Sequence, residues 1–191
     1  MKLLLGQKIG MTQVWDDKGR LIGATVVFAE PNSVIKTGER IQLAVAVPGK
    51  TVKAQKKLAE KTGSKRGVWL KEATELEADQ EKVSVSQFTV GEKVKVSGVT
   101  KGKGMAGTIK RHNFSRGPMT HGGDNHRGPG SIGAQRPQRV PKGQKMSGRM
   151  GGENLTIRGA KVVDVKPAEN LIIISGPIPG PARGRVIIKN A

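Results

Sequence analysis

The chain has 191 residues, enough for one domain with a core or for a modest domain plus an extension. Its 34 Lys and Arg against 15 Asp and Glu give a formal charge of +19, an excess that points to a polyanionic partner, nucleic acid ahead of a membrane surface. The absence of cysteine excludes disulfides, zinc-thiolate sites and cysteine nucleophiles, and the few scattered aromatic residues do not supply a base-stacking platform.

The opening MKLLLGQKIG is too short an apolar run for a signal peptide or a membrane span, so a soluble intracellular protein without a membrane partner is expected. Strand-like runs then alternate with turn signals. Met11 to Trp15 leads into Asp16-Asp17-Lys18-Gly19, Leu21 to Ala29 into Pro31-Asn32-Ser33, and Ile41 to Val47 ends at Pro48-Gly49. This spacing predicts the hairpins of a small antiparallel sheet or barrel. Val52 to Lys61 has helix formers in partial helical spacing, and a weaker helix pattern covers Lys71 to Ala78. Strand alternation returns at Val83 to Phe88 and Val94 to Val99.

Between residues 101 and 152 the pattern disappears. These 52 residues hold 13 glycines, four prolines and only ten of Ala, Val, Ile, Leu, Met and Phe. So few apolar groups cannot offset the ordering entropy of the segment, so it should not form a core of its own. It carries 11 basic residues against the single acid Asp124, about three times the charge density of the remainder. Strand signals resume at Leu155 to Arg158, Lys161 to Val165, Leu171 to Ile174 and Val186 to Lys189, with the rigid Gly176-Pro177-Ile178-Pro179-Gly180-Pro181 loop between the last two. The expected organisation is a β domain of residues 1–100 and 153–191, with a helical insertion at about 51–80, and an extension of residues 101–152. Doubled back, about 26 residues per leg could reach roughly 85 Å at ~3.3 Å per residue.

Gly102, Gly104 and Gly107 spell G-x-G-x-x-G, but a dinucleotide fingerprint must open a long helix inside a βαβ unit with an acid about twenty residues on. Thr108 to Phe114 leaves scarcely two turns before Ser115-Arg116-Gly117-Pro118, and no parallel pattern surrounds it. The P-loop spelling also fails, because Gly104 stands where Ser or Thr must hold magnesium. What remains is bare backbone interleaved with Lys101, Lys103, Lys110 and Arg111, which lets a polyphosphate approach peptide amides while the cations neutralise it. Arg116, Arg127, Arg136, Arg139, Lys142, Lys145 and Arg149 extend the same charge.

All three histidines, His112, His121 and His126, lie in this segment. With Asp124 they could be read as a metal or hydrolytic site, in a metal-dependent nuclease or RNA-modifying enzyme using His121, Asp124 and His126, yet metal ligands need a scaffold that this glycine-rich stretch does not offer. Hydrogen bonding or stacking on RNA is the favoured role. A sequence-indifferent nucleic-acid packager is a third reading. No cofactor, metal or small-molecule substrate is expected, and the protein is read as a non-enzyme.

Four stretches carry a more specific signal: GQKIGMTQVWDDKG from Gly6, VTKGKGMAGTIKRHNFSRGPMTHG from Val99, NHRGPGSIGA from Asn125 and KGQKMSGRMGGENLTIRG from Lys142. In order, they resemble the signature segments of the universal large-subunit ribosomal protein L-three family, bacterial type. The resemblance implies a six-stranded, translation-protein-type antiparallel β-barrel and an extension that threads into large-subunit ribosomal RNA towards the peptidyl transferase centre. It also implies a part in early subunit assembly, ribosomal proteins L-fourteen and L-nineteen as neighbours, and a place in the cytoplasmic ribosome; a bacterial or an organellar member would fit this start. Carried over by position, Lys101 to Arg116 enter the extension and Gly130 to Arg139 form its tip, where some bacterial members carry a methylated glutamine at the place Gln135 or Arg136 would occupy. The chain departs from the family pattern twice. Only Glu92 to Lys101 separate the FTVG segment from GKG, which predicts that one barrel strand or hairpin is missing or merged, and the tip is one residue short with Pro141 where an aromatic is usual.

Overall fold

A computed structural model describes residues 2–16, 18–37, 40–47, 53–62, 67–73 and 81–190. In chain order the elements are β1 (Leu3–Trp15), β2 (Leu21–Phe28), β3 (Asn32–Thr37), β4 (Arg40–Val47), α1 (Lys56–Thr62), β5 (Gly67–Ala73), β6 (Lys82–Val83) and β7 (Lys93–Val99). They are followed by β8 (Met105–Ala106), α2 (Thr108–His112), β9 (Gly148–Arg149), β10 (Asn154–Lys166), β11 (Leu171–Ser175) and β12 (Arg185–Asn190). The chain divides into two compact units, residues 1–100 with 154–191, and residues 101–153.

The protein is mainly β. Six antiparallel strands close on themselves in the order β1-β12-β7-β10-β11-β2. Period-two alternation builds this ring: in β7, Val94 and Val96 are buried while Lys93 is exposed and Lys95 and Ser97 are half-buried. Val94 and Val96 meet Leu4, Val162, Ile172, Ile174, Val186 and Ile188 in one core. The short Glu92–Lys101 stretch costs no ring strand, because β7 is complete and six strands close the ring.

A second, four-stranded sheet of order β5-β4-β3-β6 corrects the expectation that 51–80 is a helical insertion. Among the described residues of this stretch, helix is confined to a 3-10 turn at Lys53–Gln55 and to α1. Residues 71–73 of the expected second helix belong to strand β5, and the rest of that expectation lies outside the described residues. The sheet is apolar on both faces. Leu43, Val45, Trp69 and Ala73 face the main core, while Ile35, Ala44, Val68 and Leu70 pack with Leu58 and Ala59 of α1. Burial on both sides explains the unbroken apolar run LAVAV from Leu43 to Val47.

Three other expectations change for identifiable reasons. The expected strand Val83 to Phe88 ends at Val83 and continues as a 3-10 helix, whose three-residue period buries both Val85 and Phe88. The two strands expected around Gly159 are one, β10, carried through a bulge between Ile157 and Ala160 where Gly159 has φ +76°. β1 begins at Leu3 rather than Met11, because Leu3, Leu4 and Leu5 are all buried and show no alternation.

Polar groups set the joints. Asn32, expected in a turn, opens β3 fully buried; its side-chain nitrogen donates to the Glu30 and Leu5 carbonyls at 2.9 and 3.2 Å, and its oxygen accepts from the Leu5 amide at 2.6 Å. Lys8 donates from Nζ to the Ile178 and Gly180 carbonyls at 2.6 and 3.2 Å, which fixes the proline-rich loop. The last register pair of β7 and β10 is Val99 opposite Asn154, so the inserted segment leaves and re-enters the sheet at cross-strand partners.

Candidate nucleic-acid interface

Within residues 101–152 only Ala106 and Thr108 are buried, and the order of the segment is instead a matter of hydrogen bonds. The two legs begin as a ladder. The Lys103 amide donates to the Met150 carbonyl at 2.8 Å, the Met150 amide donates to Gly104 at 2.9 Å, and Met105 and Ala106 pair with Arg149 and Gly148. Gly104 takes φ +68° with open space around it, so its requirement is for backbone conformation.

Past the ladder, Gly107 caps the one-turn helix α2, which ends at Asn113 in the left-handed region. The helix aims two side chains at one acceptor on the opposite leg: Arg111 Nη1 and His112 Nε2 both donate to the Met146 carbonyl at 3.0 Å. Gly148 gives Arg111 its room, since a Cβ there would land on the guanidinium. The next stretch closes on itself through Gly117 N to the His126 carbonyl at 3.1 Å, His126 Nδ1 to the Pro118 carbonyl at 2.8 Å and Gly128 N to Asn125 Oδ1 at 2.9 Å. Nearer the tip, Ser131 Oγ donates to the Gly133 carbonyl at 2.9 Å.

The sequence-predicted residues therefore fall into two groups. Lys101, Gly102, Lys103, Gly104, Lys110, Arg116, His121, Arg127, Gly130, Gln135, Arg136, Arg139, Lys142, Lys145 and Arg149 are exposed. Arg111, His112 and His126 are half-buried and already hold backbone carbonyls of the segment. Sequence reasoning missed the groups that organise the segment, Met146, Gly148 and Asn125; a glycine three residues beyond a lysine gives no hint that it makes space for an arginine 37 positions earlier. The G-x-G-x-x-G stretch sits beside a two-residue antiparallel strand and a five-residue helix, the wrong context for a dinucleotide.

Among the described residues none of the segment's 11 cations forms a salt bridge, and no three His, Asp or Glu side chains converge as metal ligands. Chemically, the arrangement is a carboxylate-poor, two-legged strip of ammonium, guanidinium and bare peptide, which matches phosphate oxygens without reading base edges.

Residues 31–172 match the family model described as ribosomal protein L3. The chain belongs to this family. A large ribosomal subunit protein uL3 from Syntrophomonas wolfei is 42% identical over 210 residues, covering all of this chain and 96% of that protein. The uL3 proteins of Geobacillus thermodenitrificans and Geobacillus stearothermophilus are each 44% identical over 204 residues, again over the whole chain and 96% and 95% of their own lengths. The family consists of structural ribosomal components of bacterial type here, so the non-enzymatic expectation holds on family membership.

Proposed function

We propose that this chain is a structural constituent of the large ribosomal subunit that binds large-subunit ribosomal RNA directly. In this reading the six-stranded ring is a translation-protein-type barrel docked on folded RNA in the cytoplasmic ribosome. The inserted segment reaches towards the peptidyl transferase centre, supports early assembly, and has ribosomal proteins L-fourteen and L-nineteen nearby. One observation supports it most: 11 cations and one carboxylate stand on a hydrogen-bonded loop without a single salt bridge among the described residues, in a chain of the L3 family.

Exposed Lys101, Lys103, Lys142 and Lys145 would meet phosphates, while Arg111 and His112 would hold the legs together. Binding then releases condensed counterions, and about ten neutralised phosphates give a slope of log affinity against log salt on the order of −7 or steeper. The test is that slope, measured by filter binding on protein-free large-subunit ribosomal RNA. A slope shallower than about −3 would sink the reading.

A further inference from the structure

The ring carries charge that the inserted segment does not account for. Because Val94 and Val96 of β7 point into the core, Lys93, Lys95 and Ser97 stand on its outer face. Register then places Lys189 of β12 directly opposite Lys95, and Lys161 of β10 directly opposite Lys93. In the next row Ser97 Oγ and Thr156 Oγ1 lie 2.8 Å apart. Like charges directly opposite one another on a sheet destabilise it. Here two adjacent cross-strand rows do so, and among the described residues none of these four lysines has a salt bridge. Glu92, the carboxylate next to Lys93 in sequence, is held by Lys2 at 2.7 Å.

A surface built only for solubility intersperses signs; this one stacks cation on cation across three strands. An anion would turn the repulsion into attraction, and the rows, about 7 Å apart along the strands, call for a ligand with repeating charges rather than a single ion. We propose that Lys93, Lys95, Lys161 and Lys189 form a second RNA-backbone-binding face, on the ring itself. Long lysine stems lie along the sheet while their ammonium groups reach successive phosphates, and the Ser97 and Thr156 hydroxyls add neutral donors beside them. The inference rests on the proposed function, in that the partner is the same ribosomal RNA.

The test compares three full-length chains on protein-free large-subunit ribosomal RNA: wild type, the fourfold variant Lys93→Thr, Lys95→Thr, Lys161→Thr and Lys189→Thr, and a control with the same charge loss. The control carries Lys53→Gln, Lys56→Gln, Lys57→Gln and Lys71→Gln, all at exposed positions of the four-stranded sheet and its helical connection. The face variant is expected to flatten the salt slope by about 3, and the control by less than about 1. Equal flattening in both would reduce the effect to net charge and overturn the proposal, as would an unchanged slope in the face variant. A shallow wild-type slope overturns the proposed function instead. Should the face variant fold poorly, acylation of wild-type lysines decides the matter: bound RNA should protect these four and leave Lys53, Lys56 and Lys57 reactive, and equal reactivity with and without RNA overturns the assignment.

Discussion

Glu92 shows how one carboxylate anchors the start of the ring. Burial alone would raise its pKa, but the Lys2 ammonium at 2.7 Å and the Thr89 amide and hydroxyl at 3.2 and 3.3 Å outweigh that and hold it below the ordinary 4.5. Lys2 in turn accepts the Asn190 amide on its carbonyl at 3.3 Å, so the pair sits where the first and last ring strands meet. A carboxylate with a depressed folded pKa adds stability that is complete above its unfolded value and is lost as pH falls through the folded one. Glu92→Gln should therefore cost about 0.5–1 kcal/mol in urea unfolding at pH 7, as for a partly exposed ion pair. The difference from wild type should persist down to about pH 5 and shrink below about 4.5, where both chains become neutral at this position. A difference that stayed constant to pH 3 would show that the ion pair is not its source.

Strands were legible where one face meets water. β7 and β12 alternate cleanly, and Leu171 to Ile174 reads as a buried strand because three consecutive isoleucines are buried or nearly so. Double-sided burial erased the alternation in Leu3–Leu5, and bulging at Gly159 imitated a strand break, so both were misread. The legs of the inserted segment were illegible for another reason: their contacts join residues far apart in sequence through backbone carbonyls that any residue type supplies. Arg111, His112, Met146 and Gly148 make one such clasp. Gly148→Val would push the guanidinium off the Met146 carbonyl and forfeit a charge-assisted bond of about 1.5–3 kcal/mol. Amide exchange at Lys103 and Met150, whose hydrogen bonds tie the same two legs, should accelerate roughly 10- to 100-fold, given about 1.4 kcal/mol per tenfold. Exchange at Val96 and Ile188 should not change. Equal acceleration at all four would mean that the substitution acts on the ring rather than on the clasp.

Charge and core are separated along this chain, and that separation is what composition revealed before any contact was known. Residues 101–152 hold 11 of the 34 basic residues but only two buried side chains, while every member of both hydrophobic clusters lies outside them. Folding of the ring should thus be indifferent to the segment, provided its ends can be joined without strain. They can, because Val99 and Asn154 are cross-strand partners, and directly opposite residues of an antiparallel pair have Cα atoms only about 4.5–5.5 Å apart. A two-residue Asn-Gly turn suits such a closure. Replacing residues 101–152 by Asn-Gly between Thr100 and Glu153 should leave cooperative unfolding intact and the thermal midpoint within about 2–4 °C of wild type, the change expected for about 1 kcal/mol in a domain of roughly 150 residues. On large-subunit ribosomal RNA the same chain should lose most of its salt slope and keep only the share of about 3 expected from the four ring lysines. Loss of cooperative unfolding would show that the segment supports the core. A full wild-type slope in the shortened chain would move RNA binding to the ring alone.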